Sequence, residues 1–509
     1  MQEEKRTRES LPGWLDWLYD PDEMRAADRF AMEERGILEL ELAEKAGAGL
    51  AAAAAEAAGG GPIRVVVGPG NNGGDGLIAA RLLREAGHEV DVLAPLSLDG
   101  LVDVPRTNLD RLPGEQPRPF DPAALVGSGV VVDALLGTGF EGAVREPLAG
   151  VIEAINSAGA PVVAADVASG VNAATGEVEG PAIHASATAT NHAPKIGLYV
   201  APGARHSGAV RVVDIGIPSG SPSPGLVGLI SRRVSRLVPP RPLYTSRRDT
   251  VLIVGGRRGS TGAPAMAARA AMRAGACYVR VAVPASVSPF MDLLLLEALI
   301  HGLEEEDGRH VEAGARAVAD LAQEAGAVVL GPGLGIQESA FSQAVGSSVE
   351  VPMVIEAGGL SAYPAAEALA GRPGPTVLIS DEAGLGRLLG LSPQEVEARR
   401  LASARALADR TGAVVILEGD GCVIAATGAP IALGPGASGA LAANGTGSVL
   451  AGLVGTLVAR GMDPFAAAAA AVLVRSDAGE LAATRAGAGH ALAEDVIQAL
   501  PQALAPRPD

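Results

Sequence analysis

Three segments carry side chains that could do chemistry together. The first is Val65-Val-Val-Gly-Pro-Gly-Asn-Asn-Gly-Gly-Asp-Gly76. It follows a β-branched run and opens a segment of helical character. Glycines allow tight turns and close approach of a phosphate, and free N–H groups at a helix start favour an anion. Gly68, Gly70 and Gly73 satisfy the dinucleotide-binding spacing, with Asp91 near the end of the next strand. A plain structural turn can show the same spacing. Asn71, Asn72 and Asp75, however, add polar ligands where a simple dinucleotide site needs only backbone. The second and third segments end strands in carboxylates, Asp133 and Asp166, just before Gly/Ser/Thr-rich turns. In an open parallel sheet the ligand site lies at the carboxyl ends of the strands. Each Asp alone reads as a helix cap. Together with Asn71, Asn72, Asp75 and Ser169 they read as one oxygen-rich cluster, of a kind that holds a hard cation.

Strands must carry these residues to one sheet edge. Short β-rich runs at 63–67, 90–93, 130–133, 162–166 and 210–214 alternate with helical segments such as 77–86, which Gly87 stops. This predicts a doubly wound parallel sheet, an α/β fold of Rossmann-like three-layer type. Around 218–242 the texture turns to Pro, Ser and Gly, the pattern of a linker. The alternation restarts at 251–254, 279–283, 327–330, 353–355, 377–379 and 414–417. Two α/β domains are expected, over 11–222 and 243–505, with 223–242 between them.

Composition narrows the function classes. The net charge of −18 demotes nucleic-acid binding. Cys277 and Cys422 cannot by themselves build a disulfide framework or a structural zinc site, and both read as small core residues. With a charged N-terminus lacking a signal-peptide core, a cytoplasmic protein is expected. The apolar stretch 465–474 is about half the length of a membrane span and reads as a buried helix. The seven histidines show no metal-type spacing, and 304–307 reads as a solvated acidic loop. Trp14 and Trp17 are expected to pack the N-terminal arm against the body or a partner chain.

The segments GPGNNGGDG, VVDALLGTG, DVASGVNAATGEVEGPAIHASATAT and APKIGL, with EMRAADRFAMEERGI upstream, resemble the NAD(P)H-hydrate epimerase family over about residues 11–218. The resemblance implies repair of a damaged cofactor. NAD(P)H that has gained water at C6 of the nicotinamide exists as two epimers, and the family interconverts them. Carried over, Asn71, Asn72, Gly73, Gly74 and Asp75 would contact the hydrate, as would the turn with Gly137, Thr138 and Gly139 that runs to Ala143. Asn72, Asp133 and Ser169 would hold a potassium ion. Asp166 would bind the hydrate and, as catalytic residue, pass the proton. Three motifs depart from the family: Asp166-Val-Ala-Ser-Gly170 lacks a proline, and Asn172-Ala-Ala-Thr-Gly176 and Leu42-Ala-Glu-Lys-Ala-Gly47 replace acidic or amide positions. None of them removes an expected cation ligand or carboxylate.

The second half resembles the ADP-dependent NAD(P)H-hydrate dehydratases, which implies a ribokinase-like α/β fold. The carrying segments are 251–276, GPGLG at 331–335, GRLLG at 386–390 and ANGTGSVLAG at 443–452. Several polar positions differ from the family. Its Gly-Ser/Thr-Gly-Asp, with the Asp as base, reads Gly445-Thr-Gly447-Ser448, and a serine hydroxyl is no proton acceptor near neutral pH. Its Asp-Ala-Asp reads Glu356-Ala-Gly358, its Thr-Pro-His reads Ile379-Ser-Asp381, and its Leu-Lys-Gly reads Leu417-Glu418-Gly419. Glutamate for lysine at a phosphate reverses the attraction. Ser246-Arg-Arg248 and Arg475 replace further histidine positions. These changes predict a retained fold whose dehydratase activity is lost and whose ADP or ATP binding is in doubt. The glycine loops 255–262 and 331–335 read equally well as ligand loops or as fold-shaping relics.

The leading expectation is an epimerase with a degenerate second domain, acting on a small molecule and forming a homo-oligomer. Two alternatives remain: a non-catalytic nicotinamide-nucleotide-binding or scaffold protein, and a bifunctional enzyme with an unconventional second site. A sugar-type kinase and a simple Rossmann dehydrogenase rank lower.

Overall fold

The computed structural model describes residues 11–221, 225–240, 249–436, 439–487 and 489–505. Contacts divide the chain into one unit of Trp17–Val227 and another of Met1–Asp16 with Gly228–Asp509.

The Trp17–Val227 unit is built on a seven-stranded sheet in the order Arg118–Pro119, Val90–Ala94, Ile63–Val67, Val130–Ala134, Val162–Ala165, Ala187–Asn191, Ala209–Val213. Every neighbouring pair is parallel. The central strands are covered on both faces, which explains their unbroken Val/Ile/Ala runs. Ala187–Asn191 escapes sequence reading because it alternates Ala with Thr rather than showing an apolar run. Its Thr188 and Thr190 are nevertheless fully buried. The helix after the glycine loop starts earlier than the apolar pattern suggests, at Asn71, and runs to Glu85. A β-carbon at Gly73 would stand 1.9 Å from the Gly68 carbonyl, and one at Gly68 2.0 Å from the Leu135 carbonyl. Only bare Cα atoms let this helix start fold back on the strand ends.

The other unit has an eleven-stranded sheet. Its parallel run is Val414–Leu417, Thr376–Ser380, Met353–Glu356, Ala327–Leu330, Thr250–Val254, Tyr278–Pro284, Leu299–Leu303. Beyond Val414–Leu417 come antiparallel Val423–Ala425 and Ile431–Leu433, then Val227–Ile230 and Leu15–Trp17. The stretch expected as a linker, 223–242, therefore carries regular structure. Val227–Ile230 is a sheet strand and Arg232–Leu237 a 3-10 helix with Val234 buried. Residues 223, 224, 241 and 242 lie outside the described residues. Short strands in Pro/Ser/Gly-rich sequence leave no periodicity to read. Trp14 is buried with its ring 5.7 Å from that of Phe465, which anchors the N-terminal arm. Phe465–Val474 is the buried start of the helix Pro464–Ala486. Among the described residues, no helix is long and apolar enough to cross a membrane.

Candidate functional site

In the Trp17–Val227 unit a cavity of about 950 Å³ opens at the carboxyl ends of the strands. Its wall includes Asn71, Asn72, Asp75, Gly137, Thr138, Gly139 and Asp166. Gly73 and Gly74 lie behind this wall, buried in the helix. They shape the site through backbone approach, Gly73 to Gly68 and Gly74 to Pro105.

Asp166 stands one residue past its strand, in the left-handed region at φ 61°. Aspartate tolerates that conformation better than most residues. Its Oδ1 accepts from Lys195 Nζ at 2.6 Å, Asn191 N at 3.0 Å and Thr190 Oγ1 at 3.1 Å. Lys195 has no exposed surface, and its Nζ also donates to the Asn191 carbonyl at 2.6 Å and to Thr190 Oγ1 at 3.1 Å. Asn191 links two carboxylates, since its Nδ2 donates to Asp75 Oδ2 at 3.4 Å. Burial, then the charge of Asp166, holds the Asp75 carboxyl well above the usual range. Asp28, on the same cavity wall, is raised to about 6 by burial, against the pull of Lys195.

Asp133 and Ser169 sit beneath the wall, fully or almost fully buried. Ser169 Oγ donates to Asp133 Oδ1 at 2.6 Å, and Ser169 N to Oδ2 at 2.8 Å. Leu135 N donates to Oδ1 at 3.2 Å. Burial lifts Asp133 to about 6 despite these bonds. Asn72 Nδ2 donates to the Leu136 carbonyl at 2.7 Å, and that carbonyl also lies 3.3 Å from Ser169 Oγ. The Asn72, Asp133 and Ser169 side chains thus converge around one turn.

In the other unit a second cluster surrounds the start of helix Thr446–Ala459. Ser448 Oγ donates to Glu356 Oε1 at 2.9 Å. Arg475 pairs with Glu418. Gly447 lies between the two carboxylates, where a β-carbon would stand 3.2 Å from Glu418 Oε2 and 3.7 Å from Glu356 Oε1. Asp381 is not part of this cluster; it caps helix Glu382–Leu389 by accepting from Gly384 N at 2.7 Å. Ser246-Arg-Arg248 lies outside the described residues. The glycine loops 255–262 and 331–335 cross closely: Gly256 N donates to the Pro332 carbonyl at 2.7 Å, and a β-carbon at Gly255 would stand 2.1 Å from that oxygen.

Residues 39–197 match the family model of the YjeF-related protein N-terminus, and residues 251–502 that of NAD(P)H-hydrate dehydratase. The chain is 36% identical to the bifunctional NAD(P)H-hydrate repair enzyme of Salinibacter ruber, the match covering 95% of each chain. It is 33% identical to that of Thermofilum pendens, again over 95% of each. The chain belongs to the bifunctional NAD(P)H-hydrate repair enzyme family. A solved structure of an ADP/ATP-dependent NAD(P)H-hydrate dehydratase from Bacillus subtilis, 26% identical, matches 53% of this chain and 94% of that one at a TM-score of 0.45.

Residue types and spacing single out Asp166 and the two glycine turns, which the fold brings to one cavity, but nothing in them singles out Lys195, Asn191 or Asp28. In the sequence Lys195 is one residue of the APKIGL segment that carries the family resemblance, with nothing beside it to mark a role. Its spacing from Asp166 gives no hint that a loop brings the two within hydrogen-bond distance.

Proposed function

We propose that the Trp17–Val227 unit interconverts the C6 epimers of hydrated NAD(P)H. The observation that carries this reading is the pair Asp75 and Asp166 on one cavity wall, linked through Asn191 and backed by Lys195. At C6 the hydroxyl stands beside the ring nitrogen. Loss of water gives an iminium stabilised by that nitrogen, and water can return to the other face. Asp75, whose carboxyl is raised by burial and by the charge of Asp166, gives a proton to the leaving hydroxyl. Asp166, set by Lys195, takes one from the incoming water. A carboxyl whose ionisation burial disfavours, beside a carboxylate paired with a lysine, suits such an acid–base division. Asn71, Gly137, Thr138 and Gly139 line the space for the rest of the ligand, with the helix start at Asn71 favouring its phosphate.

The residues also fit a potassium ion. Asp133 is fully buried among hydrogen bonds from Ser169 and Leu135, and a bound cation would offset the burial that raises its carboxyl. Asn72, Asp133 and Ser169 would hold the ion, with oxygen ligands suited to a hard cation. When bound, it would fix the turn that carries Leu136 and Gly137 and supply positive charge beneath the site.

The test mixes both hydrate epimers with the chain and follows their interconversion by chromatography. Interconversion that Asp166→Asn abolishes supports the reading, whereas binding without turnover would replace it with a nucleotide-binding scaffold. For the Gly228–Asp509 unit, residue types alone argue for lost dehydration. The Glu356–Ser448 and Glu418–Arg475 contacts, with the match to bifunctional repair enzymes, favour the other reading, a bifunctional enzyme with a rebuilt second site.

A further inference from the structure

Three elements bring charged groups to the start of helix Thr446–Ala459. Glu356 ends strand Met353–Glu356, Glu418 follows strand Val414–Leu417, and Arg475 comes from helix Pro464–Ala486. Position by position, each looks like a lost family residue. In space they complement one another. Ser448 cannot accept a proton near neutrality, but it donates to a carboxylate from the neighbouring strand. Glu418 reverses a charge, and Arg475 restores it by pairing with Glu418. Arg475 also donates to the Thr446 carbonyl at 3.3 Å and to Cys422 Sγ at 3.4 Å, so the ion pair is tied to the helix start.

One atom is left over. Glu356 Oε2 is buried and takes no hydrogen bond. An unsatisfied buried carboxylate oxygen is costly, and in a native fold it calls for an explanation in function or in a bound group. Beside it, the bare Cα of Gly447 leaves open the space that a side chain would fill between Glu356 and Glu418.

We propose that Glu356 is the proton acceptor of a dehydration site at this helix start, with Ser448 as the residue that positions it and the C6-hydrated nicotinamide as ligand. The proposal rests on the bifunctional repair reading above. The C6 hydroxyl takes a proton from solvent and leaves as water, which gives the C6=N1 iminium. The C5–H bond then breaks. Its proton goes to Glu356 Oε2, its electron pair forms the C5=C6 bond, and the ring nitrogen recovers its lone pair. One proton is consumed and one released, so substrate becomes dihydronicotinamide plus water. With Arg475 set against Glu418, an ionised Glu356 gives the cluster one net negative charge, the complement of a developing iminium.

The acidity of Glu356 suits this role. Burial raises its carboxyl to about 7, the Ser448 hydrogen bond pulls it down, and the charge of Glu418 pushes it up. Behind Glu418 stand Arg475, Cys422 and Arg400. An acceptor poised near the working pH both takes and returns a proton efficiently.

The experiment uses the full chain with hydrate, ADP or ATP, and magnesium. Recovered cofactor is read by absorbance across neutral pH, and epimer interconversion by chromatography in the same samples. Wild type is expected to recover NAD(P)H at a rate rising through pH about 7. Glu356→Gln should lower that rate roughly 10²–10⁴-fold while epimer interconversion continues. Ser448→Ala should keep part of the rate and move the pH midpoint upward, because the lost hydrogen bond was lowering the Glu356 value. If Glu356→Gln does not fold, Glu356→Asp tests the same point by keeping the charge and losing reach. Full recovery in a folded Glu356 variant overturns the proposal. Epimer interconversion in wild type without any recovery also overturns it and leaves the epimerase reading standing. Absence of both overturns the repair reading together with the proposal.

Discussion

Lys195 Nζ lies 2.6 Å from Asp166 Oδ1, and the lysine has no exposed surface. A cation buried this deeply is held by its partners: Asp166, Thr190 and the Asn191 carbonyl. Removing one member of a buried pair leaves the other charge uncompensated. Lys195→Met is therefore expected to cost about 3–5 kcal/mol of stability, read by denaturant unfolding, and to abolish epimer interconversion. Lys195→Arg is expected to rescue neither, because a planar guanidinium does not fit a pocket shaped for an ammonium.

Asp28 ties stability to pH. Its carboxyl is raised from 3.8 to about 6 in the fold, chiefly by burial. The protonated form is thus the one the fold prefers. The resulting stabilisation is fully present below pH 3.8 and is lost as pH rises through about 6. Asp28→Asn is expected to remove this dependence and to raise stability at neutral pH by at most about 3 kcal/mol. Thermal melts of both proteins on either side of this window check it.

Potassium is expected to raise the melting temperature more than lithium at equal ionic strength. A ligand bound only to the folded state stabilises it by about 2.7 kcal/mol at a hundredfold excess over its dissociation constant. Asp133→Asn is expected to abolish the difference between the two salts. Equal melting in both salts would remove the ion from the site.

Arg475 and Glu418 are expected to behave as a unit. The arginine is buried and the Glu418 side chain only 23% exposed. Arg475→Met alone is expected to cost about 3–5 kcal/mol, and adding Glu418→Gln to recover much of that loss. A double-mutant cycle on chemical unfolding measures the coupling.

At Gly73 the helix start touches the Gly68 carbonyl, and a β-carbon would stand 1.9 Å from that oxygen. Both atoms in conflict are tied to backbone, so neither can swing away. Gly73→Ala is expected to destabilise the unit by more than about 2 kcal/mol and to displace Asn71 and Asn72 from the cavity wall. Loss of epimer interconversion in protein that still folds would report the displacement.

Much of this protein was determined by residue type and local order. β-branched runs alternating with helical segments are enough to specify parallel α/β units, because a strand covered on both faces must be apolar throughout. The glycines at 68, 70 and 73 and the carboxylates at strand ends mark the region of the cavity through stereochemistry, with Gly70 and Asp166 on its wall and Gly73 and Asp133 packed behind it. What the sequence could not supply is partnership. Lys195 meets Asp166 only because parallel strands Val162–Ala165 and Ala187–Asn191 lie side by side. Glu356 meets Ser448 across 92 positions, and Glu418 meets Arg475 across 57. Read singly, Ser448, Glu418 and Arg475 each subtract a function. Folded, one donates to a carboxylate and the other two neutralise each other. The reason is physical: proton acceptance and charge complementarity belong to groups within a few ångströms of one another, and chain separation does not set that distance.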